Sequence, residues 1–442
     1  MKAVKKIICV CYSVIFLVSF AGCSPKTKVD EPSDITSIKF NDFSKNISAD
    51  KIYERIAVLS SKDDARITGF EGEKDASALI SKEFENMGLS VEEQEFPITA
   101  FKCESNEVKI ETTESKVIES KVLTFSKETI TEGINEEIVN GNMGTLNELT
   151  NAKVKGKLVL IKRGGETFRA KTDRAAQLGA LGVIFFDPNS DGAISATLGQ
   201  PSKIPAVAIS KVDGENIIAT MNSEEGLKAT IKVNSKYYNS TSKNIIGTLK
   251  SKKENAKTII VGAHYDGVDT PAANDNASGI STVIEAARVL ADKNMDCNIK
   301  FIAFGAEEIG LVGSYNYASS LSQEDIKNTI AMINADMVGI GEKLCVYTVS
   351  KAEESLTADL AVACMDYFKY ENRRDESTRS DHVAFDELGI PVAYFEYGPF
   401  DNYHTDKDTV DKISKEKLAN TCNVISSLCY EIGKNPGRFE GN

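Results

Sequence analysis

The sequence predicts an α/β protein: a mostly parallel sheet flanked by helices, interrupted by a β-rich insert. Three observations predict it. Short apolar runs rich in β-branched and aromatic residues recur at Thr258–Val261, Ile299–Phe304, Ile330–Ile333 and Pro391–Phe395. Such runs suit strands buried on both faces of a parallel sheet. Between the first two, Ile280, Val283, Ile284, Ala287 and Leu290 fall at helical spacing. Strand–helix–strand alternation of this kind is the signature of an α/β layer architecture, which binds ligands beyond the carboxyl ends of its strands.

Taken from the N-terminus, Lys2, Lys5 and Lys6 precede an apolar stretch from Ile7 to Phe20. That is the layout of a signal peptide and is short for a membrane-spanning helix. The stretch ends Phe20-Ala21-Gly22-Cys23, which resembles a bacterial lipoprotein processing site, although leucine is usual where Phe20 stands. The expectation is removal of residues 1–22, lipidation of Cys23 and display on the outer face of the bacterial cell membrane through that anchor. Residues 23–46, rich in Lys, Asp, Ser, Thr and Pro, read as a tether. The 442 residues suit two or three domains, and 41% hydrophobic residues supply a substantial core. A net charge of −13 argues against nucleic acid as a partner. Of nine cysteines, Cys9 and Cys11 would leave with the leader. Export permits disulfides, but no spacing demands one, and buried free thiols are expected at Cys103, Cys297, Cys345, Cys364, Cys422 and Cys429.

After the tether, Ala78, Leu79, Ile80, Phe84 and Met87 mark a helix that Gly88 stops, and Val91–Phe96 reads as an edge strand. From about Phe101 to Lys236 the pattern changes. Val154–Ile161 reads as a strand leading to Arg163-Gly164-Gly165, Phe168–Leu178 as a helix, Gly182–Phe186 as the next strand, and Ile204–Ser210 follows.

The chemistry-bearing residues come next. His264 stands in GAHYDG, Asp275 in ANDNASG, Glu307 and Glu308 in GAEEIG, Asp336 in INADMVG and His404 in NYHTDKDT. Only three histidines occur in the chain, and two are in this set. Two imidazoles and four carboxylates without cysteine are a ligand set for a hard-to-borderline divalent metal. One catalytic zinc needs about three protein ligands. Five candidates plus a spare glutamate suit two metals sharing one carboxylate. An acidic pair alone is usually a solvated helix start; it is the ordered set of motifs that carries the reading.

In motif order and approximate spacing, the chain resembles the two-zinc metallo-aminopeptidase family, which also contains glutamate carboxypeptidase, glutaminyl cyclase and the transferrin receptor ectodomain. The resemblance implies a zinc-exopeptidase-like domain over residues 47–100 and 237–436, with two zinc ions per chain. It places His264, Asp275 and Asp336 on one zinc, and Asp275, Glu308 and His404 on the other. Glu307 would be the general base, and Tyr403 would steady the transition state rather than merely pack beside the sheet. Asp266, two residues beyond His264, could orient its imidazole or simply form the Tyr265-Asp266-Gly267 turn. Ala272 departs from the family, where glycine is frequent. His382 reads as a structural histidine bonded to its neighbours, and Ser380 has no partners for nucleophilic catalysis.

The wording of residues 101–236 is similar to the protease-associated domain. With no histidine and no clustered acids, this insert is expected to hold no chemistry. It is either inert or a wall that limits which peptides enter. The implied activity is removal of N-terminal residues from peptides with a free N-terminus. Alternatives are a glutaminyl-peptide cyclotransferase, a carboxypeptidase or dipeptidase using Arg373, Arg374 or Arg379 for a carboxylate, and a receptor-like binding protein.

Overall fold

The computed structural model describes residues 35–61, 65–112, 115–350 and 355–439. The leader, Cys23 and the start of the tether lie outside them. Strands among the described residues are β1 (Ser90–Glu111), β2 (Lys116–Ile118), β3 (Ser120–Val122), β4 (Ile134–Asn140), β5 (Leu158–Lys162), β6 (Gly182–Phe186) and β7 (Ala206–Ile209). Then come β8 (Lys228–Leu249), β9 (Thr258–His264), β10 (Asn298–Phe304), β11 (Thr329–Ala335), β12 (Lys343–Thr348), β13 (Asn372–Glu376) and β14 (Val392–Gly398). The sheet runs β13-β12-β14-β11-β9-β10-β8-β4-β5-β6-β7-β3.

All four expected apolar runs are strands, and they form the parallel centre β14-β11-β9-β10. Every residue of β11 is buried, as a strand covered on both faces requires. The edges are not parallel: β12 runs against β14, and β8 against β10, so the sheet is mixed. The expected helix spans Gly279–Leu290 and packs, with Lys415–Lys434, over one face through Ile280, Val283, Ile284, Ile425, Leu428 and Cys429. On the other face Phe304, Tyr317 and Phe385 form an aromatic cluster. Phe304 needs Gly262 in the neighbouring strand, because a Cβ there would lie 2.3 Å from its ring.

Two expectations need correction. The edge strand predicted at Val91–Phe96 runs through the whole of β1 and pairs antiparallel with β8 from Ser90↔Thr248 to Glu111↔Lys228. Its partner is more than a hundred residues away, so no local signal marks its length. This ribbon crosses the expected domain boundary at residue 100 and continues beyond it, with a register shift between Cys103 and Ser105. The strand predicted from Val154 begins only at Leu158, because Gly156 (φ +75°) turns the chain first. Within the insert β4, β5, β6 and β7 are parallel, with helices Phe168–Gln177 and Lys211–Ser223 beside them. Its core is not self-contained. Val159, Ile161, Val183 and Phe185 belong to the same hydrophobic cluster as Ala306 and Ile309, the residues flanking Glu307-Glu308. All six cysteines in the described residues are free, and only Cys103 is not fully buried.

Candidate metal centre

The topology delivers the candidate ligands to one place. His264 is the last residue of β9, Asp336 follows β11 directly, and Glu307-Glu308 lie just beyond β10. Asp275 lies in the kinked helical segment Ala273–Ser278 that leads into helix Gly279–Leu290, and His404 follows β14. Asp275 sits between the two histidines. Its Oδ1 is 3.3 Å from His264 Nε2, and its Oδ2 is 3.0 Å from His404 Nε2. Asp336 Oδ1 is 3.4 Å from His264 Nε2, and Glu308 Oε2 is 3.1 Å from His404 Nε2. Two ligand clusters result: His264–Asp275–Asp336 and Asp275–Glu308–His404. A third grouping, His264–Glu307–Glu308, overlaps them.

These residues fit divalent metal. Asp336 Oδ1, Glu308 Oε1 and His404 Nε2 are buried polar atoms without a hydrogen-bond partner. Buried orphans of this kind are costly unless a ligand satisfies them. The electrostatics agree. Burial opposes a charged His404, but Glu308 and Asp275 push it up to about 10. Burial likewise opposes a charged His264, yet Asp336 and Glu307 hold it well above the ordinary range. The Asp275 carboxylate is held well below its usual range by the two imidazoles, against the effect of burial. The pocket demands positive charge, and metal binding would displace those protons.

The loops carrying these ligands are strained and laced together. Ala272 (φ 51°), Ala306 (φ 58°), Met337 (φ 56°) and His404 (φ 57°) are left-handed without being glycine. Each is, or lies within three residues of, a candidate ligand or base. Such strain, about 1–3 kcal/mol per residue, persists only where the surroundings over-determine it. Asp266 does part of that. Its buried carboxylate accepts the N–H groups of Glu307 (3.0 Å) and Glu308 (3.2 Å) and the Thr68 hydroxyl (2.7 Å). Its carboxylate is 3.6 Å from His264 Nδ1; the atom facing that ring nitrogen more closely is its main-chain oxygen, at 3.2 Å. Asp266 therefore holds the glutamate loop as much as the imidazole.

Several residues were given no role at the site from sequence. Asp408 accepts the N–H groups of Asn274 (2.8 Å) and Asp275 (3.0 Å). Arg66, fully buried, donates to the carbonyls of Tyr265 (2.7 Å), Ala272 (2.9 Å) and Leu59. Ser380 donates to Asp336 (2.9 Å) and accepts from Asn334 (2.7 Å). Asp381 is buried beside them, and burial pushes its carboxyl up to about 7. His382 is structural, as expected: Nε2 meets the Ser377 carbonyl at 2.9 Å and the ring stacks on Tyr394.

Tyr403 stacks on His404, with ring centroids 3.8 Å apart, and the Arg163 guanidinium lies over its ring. Burial, reinforced by Asp275, raises the phenol well above its ordinary range, so it stays a donor. A cavity of about 760 Å³ opens onto the centre. Asp275, Glu307, Asp336, Glu396 and Tyr403 line it from the peptidase side, and Arg163, Asp187 and Asn189 from the insert. Arg373 and Arg379 also face it, whereas Arg374 pairs with Asp359.

Comparison with known proteins agrees with this geometry. Residues 244–429 match the model of peptidase family M28, and residues 131–217 match the PA domain. Aminopeptidase YwaD of Bacillus subtilis (strain 168) is 34% identical over 400 residues, covering 86% of this chain and 84% of the relative. The probable lipoprotein aminopeptidase LpqL of Mycobacterium tuberculosis is 28% identical over 407 residues, covering 82% and 79%. Among solved structures, an aminopeptidase from Aneurinibacillus sp. strain AM-1 superposes with a TM-score of 0.75 at 35% identity, covering 89% of this chain and 95% of that one. BSAP, a zinc aminopeptidase from Bacillus subtilis, gives 0.75 at 32% identity, covering 89% and 98%. With two candidate metal clusters sharing Asp275 and this likeness over most of its length, the chain belongs to peptidase family M28 and carries a PA domain insert.

Proposed function

We propose that the protein is a zinc-dependent aminopeptidase that removes N-terminal residues from peptides. The observation that carries this reading is the single carboxylate of Asp275, with one oxygen toward each of the two histidines. Zinc held by His264, Asp275 and Asp336 and by Asp275, Glu308 and His404 would supply Lewis acidity to activate water at neutral pH and polarise the scissile carbonyl. The chain's own residues do the rest. Glu307, whose main chain Asp266 fixes, takes the proton from the attacking water and passes it to the leaving amine. Burial raises its carboxyl well above the ordinary range, against the pull of His264. The Tyr403 phenol donates a hydrogen bond to the developing oxyanion. The substrate's free amine, a cation at neutral pH, meets the carboxylate of Glu396, a cavity acid that neither cluster uses. Both clusters are complete, which separates this site from that of a single-metal cyclase.

The test is a set of peptides with free and N-acetylated termini. Amino acids are released one at a time from free termini, release stops on N-acetylation and on chelation, and zinc restores it. Release from blocked termini, or ring closure of N-terminal glutamine without release, would overturn the reading.

The lipid anchor at Cys23 belongs to the same proposal. It is supported by the Phe20-Ala21-Gly22-Cys23 sequence and by the mycobacterial relative described as a lipoprotein. No helix of the described residues is long and apolar enough to cross a membrane. Cys23→Ala should free the protein from the membrane fraction and change its apparent mass; unchanged retention would refute the anchor.

A further inference from the structure

We propose that the insert completes the metal centre: the main chain of Ser195 fixes the ring orientation and tautomer of His404, and thereby the zinc affinity of the Asp275–Glu308–His404 cluster. This rests on the two-metal reading above and goes beyond it, because it makes the insert a working part of the site rather than a wall.

Ser195 lies in the insert between β6 and β7. Its carbonyl oxygen is 2.7 Å from His404 Nδ1, and its N–H donates to the His404 carbonyl at 3.0 Å. A carbonyl oxygen can only accept, so Nδ1 must carry the hydrogen. In the neutral ring Nε2 is then the bare nitrogen, and Nε2 is the atom that faces Asp275 and Glu308. Ligand histidines are generally oriented by such a partner on their second nitrogen. For His264 the corresponding carbonyl is that of Asp266, from the peptidase domain itself. For His404 it comes from the insert.

The reciprocal N–H bond matters because His404 is left-handed (φ 57°). A β-carbon residue keeps that conformation only when neighbours hold it on more than one side. The clasp is reinforced on either side of His404. Arg163 lies over the ring of Tyr403, with its guanidinium carbon 5.3 Å from the centroid, and Lys121 pairs with Asp406 at 2.8 Å. The insert's hydrophobic cluster also encloses Ala306 and Ile309, so the Glu308 loop leans on the same body. Two of the three ligands of one cluster are thus placed with help from the insert, whereas His264 and Asp336 are held by peptidase residues.

The test weakens the clasp without touching a ligand. An ester in place of the Ser195–Ala196 amide makes the Ser195 carbonyl a poorer acceptor. Ser195→Pro removes the N–H. Ser195→Ala retains both main-chain groups. Zinc affinity is measured by chelator competition in a His264→Ala background, which leaves the His404 cluster, and in a His404→Ala background, which leaves the other. The ¹⁵N shifts of His404 are read in parallel. The expected result is zinc binding about 10–100-fold weaker for the ester and proline chains in the first background only, in line with other partners of ligand histidines. The His404 Nδ1–H signal should shift with it, and Ser195→Ala should match the parent. Equal weakening in both backgrounds, unchanged affinity, or a zinc-loaded parent in which His404 carries its hydrogen on Nε2 rather than Nδ1 would overturn the proposal. Wild type holding fewer than two zinc ions would instead overturn the function reading on which it rests.

Discussion

Replacing Asp266 by asparagine tests how the catalytic loop is held. Asp266 is fully buried and accepts two main-chain N–H groups and the Thr68 hydroxyl. Asparagine keeps the volume but only one acceptor oxygen. If that oxygen stays on Glu307 N–H, the new amide N–H₂ faces the N–H of Glu308, donor against donor. Thr68 can rotate and accept, so one buried N–H is left without a partner, at about 1–3 kcal/mol. The remaining bond loses its charge assistance, at about 1 kcal/mol. An offset exists: burial and the Asp266 charge together push the Glu73 carboxyl up to about 8, and neutralising Asp266 relieves the second of these. The expected loss is therefore about 2–3 kcal/mol, within the 5–15 kcal/mol of an ordinary domain, so the variant still folds. Catalysis should suffer more than folding, because misplacing a reacting group by about 1 Å costs on the order of 10²-fold. Urea unfolding and kcat/KM on a free-terminus peptide measure the two. A variant with wild-type stability and wild-type turnover would refute the assignment of Asp266 as the support of that loop.

Other outcomes separate the neighbouring roles. Glu307→Gln should bind zinc normally and lose about 10²–10⁴-fold in turnover, as expected for loss of a general base. Glu308→Gln should instead lower zinc affinity, and similar metal binding in both variants would contradict the division. His382 supplies a pH signature. Burial pushes its pKa down to about 4, whereas an unfolded histidine titrates near 6.5. The unfolded chain therefore takes up a proton first, and stability falls as pH drops from about 6.5 to about 4, by up to about 3 kcal/mol. His382→Gln should flatten that part of the urea-midpoint profile relative to wild type, and parallel profiles would count against it.

The central strands were legible because their apolar runs carry the signal locally, and the helix at Gly279–Leu290 because its spacing does. The long ribbon of β1 and β8 was not, since half of β1 is exposed and its partner lies far along the chain. The candidate ligands were legible because metal needs side chains of particular types. The groups that hold them were harder. Asp408 sits inside NYHTDKDT, one of the motifs noted, yet an aspartate in such a sequence reads equally as a turn residue. Ala272 stands where glycine is frequent in the family, and its φ of 51° is a backbone that glycine adopts more easily; its carbonyl is one of three that Arg66 uses. Ser195 acts through its main chain, which leaves no side-chain signature. An insert without histidine or clustered acids therefore read as chemically silent, although Ser195 of that insert meets both Nδ1 and the carbonyl of His404.

The sharing of Asp275 is tested most directly by zinc content. Wild-type protein, loaded with zinc, desalted and quantified, should hold about two ions per chain, as a bridged centre requires. Asp336→Ala and Glu308→Ala should each lose one tightly held ion, whereas Asp275→Ala should weaken both. Saturation of the wild type at one zinc, or an Asp275→Ala chain that keeps one site at full affinity, would contradict the shared carboxylate.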